Sequence, residues 1–542
     1  VSGFFIGKLD KMKFKLKWVL CSCLNQDFKL GVKELRMFKQ RGGAFIIFIT
    51  VLVLGGLSLL LSGLNQGIAQ KTENREQTIK ALAEAKAALI GHALTYAETH
   101  RGQPPGYLPC PDQDGDGEAD APCGLTGESI IGFFPWKTLG LSQLRDGNGD
   151  CLWYAVSGTY KNSPKQALDN NSDGLFRIKD YKNNIIIGNT SLEQAIAVLF
   201  SPGIAISTLS TTQSRGITGV ATECGSSSAT APIRAAQNFL EISVAGPGLT
   251  YSMFDFTADV PQTLASGFQK GRIVFNDTLL PITPTDFEPV YLRMSQWVGD
   301  KVRQCLKAYS TASTDVPTKA LKLVPWTSTM NIATTDAYYL DVTNQLFGHI
   351  PSPKTAVSTA SLVNTVASNP KLSNKWTIDP DANRPYTVIS YCFDETLGTT
   401  YQDWYWWWWT KWKEQVFVAV NTANTPAVNT TTPGVSNNLQ VAYGDINAPS
   451  YVNASFLVFV AGRRLTYTDN TGAAHVQVRD STTDKSDITN YLEPFYQLNT
   501  PSAGLTQRNP NIQTTDTTFF VKSPTSMFND LICNQDKCFF TH

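Results

Sequence analysis

The segment from Ala44 to Leu64, AFIIFITVLVLGGLSLLLSGL, runs for twenty-one residues without a charge. As a helix it has the length needed to cross a hydrocarbon core of roughly 30 Å, so a membrane span is the first expectation. The formal net charge of the chain is zero, but the residues before Ala44 carry about +7 and the remainder about −7. Short basic flanks stay on the cytoplasmic side, which predicts a single pass with the bulk of the chain outside. Met37 offers a compact start to this basic flank, and residues 1–36 read as an upstream extension; 1–43 is thus a cytoplasmic leader or extension. With 42% hydrophobic and 17% charged residues, 39 glycines and 28 prolines, the chain is neither collagen-like, nor a charged coiled coil, nor disordered throughout.

Beyond the span, QKTENREQTIKALAEAKAALIGHALTYAETH has good helix formers and apolar positions at Ile79, Leu82, Ala85, Leu89 and Ala93. One transmembrane and amphipathic helix over 44–100 is expected, stopped by the Gly-Pro punctuation between Arg101 and Gly106.

A short basic leader, a glycine, an unbroken apolar helix and an amphipathic continuation carrying a large head resemble the bacterial type IV pilin-like proteins, the minor pilins and secretion pseudopilins. The resemblance covers about residues 39–100. It implies peptidase processing after Gly42 or Gly43, leaving Gly43 or Ala44 as the new amino terminus. The glutamate usual at the fifth mature position is replaced here by Ile47 or Phe48. The Leu-Pro-Cys-Pro-Asp turn at 108–112 also resembles pilin-like envelope proteins. The resemblance implies an inner-membrane protein with the head periplasmic or extracellular. It also implies other pilins or secretion-system proteins as partners, and a role in pilus or secretion assembly or surface attachment. A terminal disulfide near the chain end is also common in that family.

The fold expected is α+β: a long amino-terminal transmembrane and amphipathic helix carrying a large pilin-like mixed α/β head. Its parts are a first outer domain over 101–284, a connecting helix over 285–310 and a second outer domain over 311–542. Strands are predicted at Leu152–Val156, Asn184–Ile187 and Ala195–Phe200, and helices at Pro232–Glu241 and Thr285–Tyr309. Short echoes suggest two related units: CLWYAVSGT at 151 with EQVFVAVNT at 414, AIAVLFSPG at 195 with SFLVFVAGRR at 455, and NFLEIS at 238 with NYLEPF at 490.

Three acidic stretches are candidate calcium sites. Asp112, Asp114, Asp116 and Asp120 have the alternate spacing and glycine of a calcium loop, with Cys123 where its last carboxylate belongs. Asp169, Asn171, Asp173 and Asp180 fit the twelve-residue spacing better, and Asp146, Asn148 and Asp150 form a weaker third cluster. Asp, Asn and Gly also make turns without any ion. Eight cysteines follow the apolar segment; Cys110 with Cys123 and Cys533 with Cys538 are candidate disulfides, and the other connectivities are open.

In DWYWWWWTKWKEQVF, helical spacing puts Trp404, Trp408 and Trp412 on one face for packing, leaving Trp406 and Trp409 for binding a sugar ring or an interface. That run supports the alternative of a non-filament adhesin or carbohydrate-binding envelope protein. The five histidines stand in no ligand pattern, and nucleophile-elbow, phosphate-loop and zinc-protease motifs are missing from the sequence, so a non-enzyme is expected. Two distant carboxylates of a glycan-active enzyme are the remaining catalytic option. No basic patch in the outer region points to nucleic acid.

Overall fold

The computed structural model describes the backbone over residues 43–100, 102–179, 184–205, 276–311, 411–421, 450–468, 474–481 and 529–539. It also describes shorter pieces within 213–257, 324–350, 439–443, 484–492 and 518–520, and helix side chains from residue 69 onward. The chain divides into two units, Val1–Lys71 and Thr72–His542. The described part of the first is helical, and every described strand lies in the second.

Helix α1 (Gly43–Thr99) is followed by strands β1 (Ile130–Phe133), β2 (Trp153–Val156), β3 (Phe176–Lys179), β4 (Ile185–Ile187), β5 (Ala197–Ser201), β6 (Phe254–Thr257) and β7 (Thr278–Ile282). Helix α2 (Glu288–Thr311) opens a second series: β8 (Phe347–His349), β9 (Val416–Val420), β10 (Leu439–Tyr443), β11 (Ser450–Ala454) and β12 (Phe456–Val460). It continues with β13 (Thr466–Thr468), β14 (Ala474–Val476), β15 (Thr518–Phe520), β16 (Leu531–Asn534) and β17 (Cys538–Phe539). The architecture is α+β, with helices packed on small sheets.

The membrane-spanning expectation is corrected: among the described residues no helix is long and apolar enough to cross a membrane. The described part of α1 carries Lys71, Glu73, Arg75, Glu76, Lys80, Glu84 and Lys86, and its apolar stripe of Leu82, Ala85, Leu89, Ala93 and Tyr96 is buried in protein. That stripe, with its charged opposite face, is the amphipathic half expected beyond the apolar run, and it packs on protein. With that finding fall the transmembrane, pilin-like fold class, the single-pass inner-membrane location, and the envelope role in pilus or secretion assembly, attachment or adhesion. Ile79, read as part of the stripe, is 53% exposed.

The two series are one plan used twice. The antiparallel order β1-β2-β5-β7 recurs as β8-β9-β12-β16, with β17 added beyond β16. The order β4-β3-β6, an antiparallel pair with a parallel third strand, recurs as β11-β10-β15. In the helices, Thr78, Ala81, Leu82, Ala85, Leu89, Ala93 and Tyr96 are buried; at a constant offset so are Phe287, Val290, Tyr291, Met294, Val298, Val302 and Cys305.

The four-stranded sheet of the first repeat and the five-stranded sheet of the second each bury both faces. One face of each joins a shared core with the helices: Tyr154, Val156, Ala197 and Leu199 from the first, Val416, Val418, Phe456 and Val458 from the second. A fully buried side chain of this kind contributes about 1.5–3 kcal/mol. Contact is close: a Cβ on Gly299 of α2 would lie 2.7 Å from Cys533 Sγ and 3.3 Å from a Val460 methyl. The opposite faces form separate clusters, Trp153, Ala155, Val198 and Phe200 in the first repeat, Phe417, Ala419, Leu457 and Phe459 in the second.

Those faces fix the true alignment. Trp153 pairs Phe200 and Phe417 pairs Phe459, all four on outer faces, so Trp153 matches Phe417 and Phe200 matches Phe459. The echo set Trp153 against Val416 and Phe200 against Val460, one residue off in each strand, and a one-residue slip reverses every side chain. The corrected frame continues across the sheet: Ile131, Gly132 and Phe133 oppose Ala155, Tyr154 and Trp153 just as Phe347, Gly348 and His349 oppose Ala419, Val418 and Phe417. It also aligns Phe275-Asn276-Asp277 with Phe528-Asn529-Asp530 ahead of the last strands β7 and β16. Of the segments expected to be helical, Thr285–Tyr309 matches α2; within Pro232–Glu241, Phe239 and Leu240 are held by backbone bonds to Ala236 O of 2.9 and 2.7 Å.

Candidate metal loop

Asp112 lies beside Phe133 of β1, exchanging backbone hydrogen bonds of 3.0 and 2.7 Å with it, so the first carboxylate of the loop hangs on the edge of the first sheet. The loop then folds over that carboxylate. Gly115 N donates to Asp112 Oδ1 at 2.6 Å and Gly117 N to Oδ2 at 2.7 Å. Asp116 N donates to Asp114 Oδ1 at 3.1 Å, Glu118 N to Asp116 Oδ1 at 2.7 Å, and Gln113 N to Asp120 Oδ2 at 2.6 Å. Gly117 has a φ of 91°, and a Cβ there would meet the Trp136 ring at 2.5 Å. Glycine is therefore required by both backbone and space. Lys137 Nζ donates to Asp116 O and lies 5.1 Å from the centre of the Trp136 ring.

Asp112, Asp114 and Asp116 each offer a carboxylate oxygen, and these oxygens lie within 4.8 Å of one another, an arrangement that could chelate a metal ion. Asp112 is fully buried. Burial pushes its carboxyl up to about 7; the Gly117 and Gly115 N–H groups oppose that rise, and the Asp116 and Asp114 charges add to it. Asp120 is also raised, first by burial. Two anchors close the loop. The Cys110–Cys123 disulfide ties its ends, and the Cys151–Cys224 disulfide brings Cys224 N within 3.2 Å of Gly115 O as donor. Buried Lys161 donates to Cys123 O at 2.6 Å and Leu125 O at 2.5 Å, and burial lowers its ammonium to about 8.

The second acidic stretch is a clasp between the repeats. Asp169 accepts from Ser172 Oγ and Gln415 Nε2, both at 2.6 Å, and Asn171 Oδ1 accepts from Arg464 N at 2.8 Å. The Arg464 guanidinium lies 3.4 Å from Asp173, in the position of a counter-charge. Asn170, fully buried, donates to Ala461 O at 2.7 Å and Ser295 Oγ at 2.9 Å. Asp180 lies outside the described residues. In the third cluster buried Asp146 accepts from the Asn148 and Asp150 amides, Ser201 Oγ and Gly203 N, while Asp150 pairs with Arg215 at 2.5 Å.

Disulfides also join Cys533 to Cys538 across β16 and β17, and Cys305 is disulfide-bonded. Trp412 is fully buried, its Nε1 donating to Leu168 O at 3.0 Å, whereas Trp404, Trp406, Trp408, Trp409 and Gly42 lie outside the described residues. Gly43 and Ala44 begin α1.

Sequence reading missed a pair of arginine clamps. Arg215 donates to Gly203 O, Asn238 O, Phe239 O and Gln213 Oε1, with its guanidinium 5.3 Å from the Phe239 ring. Arg479 does the same to Gly462 O, Asn490 O, Tyr491 O and Gln477 Oε1, 4.6 Å from the Tyr491 ring. The signal was the recurrent Gln-x-Arg, Gln213-Ser-Arg215 and Gln477-Val-Arg479, each ahead of Asn-(Phe/Tyr)-Leu-Glu.

The fold and loop define a duplicated α+β protein, disulfide-bonded, with one acidic loop on its first repeat. No family model, curated protein or solved structure matches the chain, so the pilin resemblance finds no support there.

Proposed function

We propose that the chain is a non-catalytic, two-repeat scaffold whose first repeat is fixed by a structural calcium ion held by Asp112, Asp114 and Asp116, with Asp120 bracing the loop. The observation that carries this reading is the convergence of three carboxylate oxygens within 4.8 Å on a carboxylate that is fully buried. Clustered anions repel, and a hard divalent cation removes that repulsion. Hard oxygen donors on a glycine-containing loop suit calcium, whose remaining ligands would be carbonyl oxygens and water. An affinity of about 0.1–1 mM is expected, the range of extracellular calcium modules.

Terbium, which shares calcium's preference for oxygen, tests this directly because the Trp136 ring packs against Gly117 of the loop. Excitation of tryptophan should give terbium luminescence that calcium displaces, and both Trp136→Phe and Asp114→Asn should abolish it. At a hundredfold excess over the dissociation constant calcium should add about 2.7 kcal/mol of stability. No luminescence, together with a melting temperature unchanged by calcium at that hundredfold excess, would refute the site.

A further inference from the structure

The outer face of each of these two sheets carries a cover placed by the arginine clamp. In the first repeat the cover is Phe239 and Leu240, with Phe239 lying 5.3 Å from Trp153 and 5.6 Å from Phe133. In the second it is Tyr491 and Leu492, both bonded through their amides to Ile488 O at 2.9 Å, with the Tyr491 ring 5.5 Å from Phe417. Both covers are buried and the two clamps cap corresponding carbonyls, yet the segments carrying them are anchored by different chemistry.

Cys224, on the path between Arg215 and Phe239, is joined covalently to Cys151, which stands just ahead of β2. Lys485, on the path between Arg479 and Tyr491, meets Glu414, which stands just ahead of β9, through a 2.9 Å ion pair with side chains 28% and 23% exposed. A covalent bond holds at any ionic strength; a part-exposed ion pair contributes little and is screened by salt. We propose that the two covers are a locked and a releasable version of one device. Loss of the Glu414–Lys485 contact makes the second cover open severalfold more often, uncovering the aromatic face formed by Phe347, Phe417 and Phe459, while the first is unaffected.

Hydrogen exchange on the full chain, followed by mass spectrometry over 236–240 and 488–492, tests this. Raising sodium chloride from about 0.01 to about 1 M shortens the screening length from roughly 30 to 3 Å. Exchange at 488–492 should then rise about two- to fivefold, the range for an exposed pair, with 236–240 unchanged. Glu414→Gln should raise exchange at 488–492 by a similar factor and remove the salt response. Glu414→Lys should raise it further, and adding Lys485→Glu should restore the wild-type rate. The double variant Cys151→Ser/Cys224→Ser should transfer mobility to 236–240. The proposal is overturned if exchange at 488–492 ignores both salt and Glu414→Gln, if the charge swap fails to restore protection in a folded chain, or if both covers respond equally to salt.

Discussion

Replacing His349 by Phe should change the pH dependence of stability in a defined direction. His349 is buried on β8 with its ring 4.5 Å from Phe417, and its Nδ1 bonds Val416 O at 3.2 Å. Burial, with a further contribution from the Lys413 charge, lowers its pKa from 6.5 to about 4, against the pull of the Val416 carbonyl. A folded pKa below the unfolded one means that the unfolded chain binds the extra proton between pH 6.5 and 4. The stability due to neutral His349 is therefore complete above 6.5 and is lost as pH falls toward 4. At pH 4.5 the loss amounts to about 2.5 kcal/mol relative to pH 7.5. Phenylalanine is the residue the first repeat uses at the matching position, Phe133, so it suits the site sterically. At pH 7.5 the substitution forfeits the bond to Val416 O and should cost about 1 kcal/mol. At pH 4.5 it should be the more stable protein by about 1.5 kcal/mol, from the same two terms. Urea unfolding of both proteins at each pH, followed by tryptophan fluorescence, measures the difference directly, since all other titrations are common to the pair. A difference independent of pH within about 0.5 kcal/mol would refute the assignment of a buried neutral imidazole.

Further outcomes rest on packing. Leu89→Ala in α1 should cost about 2–5 kcal/mol by calorimetric or denaturant unfolding, whereas Ile79→Ala, at an exposed position, should stay within about 0.5 kcal/mol. Equal effects would mean that the helix face is misassigned. Gly117→Ala should abolish terbium luminescence, because both its φ and the Trp136 ring forbid a side chain. Unaltered binding in that variant would place the ion elsewhere.

The residues that could be read in advance were those whose physics is local. Leu82, Ala85, Leu89 and Ala93 mark a helix face by spacing alone, and α2 is announced by its Thr-Pro-Thr-Asp start. The Cys110–Cys123 and Cys533–Cys538 pairs are close in sequence and were legible; Cys151–Cys224 depends on a distant segment reaching the start of β2 and was not. The apolar run at Ala44–Leu64 invited a membrane reading from hydropathy alone, whereas among the described residues no helix is long and apolar enough to cross a membrane. The echo between repeats was visible, but its register was not, since pattern matching on Val, Phe and Ala tolerates a slip that a buried sheet forbids. Acidic spacing at Asp169–Asp173 looked like a metal loop because it could not reveal that Arg464 and Gln415 arrive from the other repeat.

The matched repeats make the acidic loop an insertion of chemistry into a scaffold that also exists without it. Asp112 on the edge of β1 corresponds to Ser328, whose amide bonds His349 O at 2.9 Å just as Asp112 N bonds Phe133 O. Met330 and Ile332 stand in the sequence where Asp114 and Asp116 would fall. The chain thus carries its own internal control: one copy of the sheet edge with the carboxylates and one without them, under the same solvent and temperature. Grafting the Asp112–Asp120 sequence onto the second copy would ask whether ion binding belongs to the loop itself or to its surroundings.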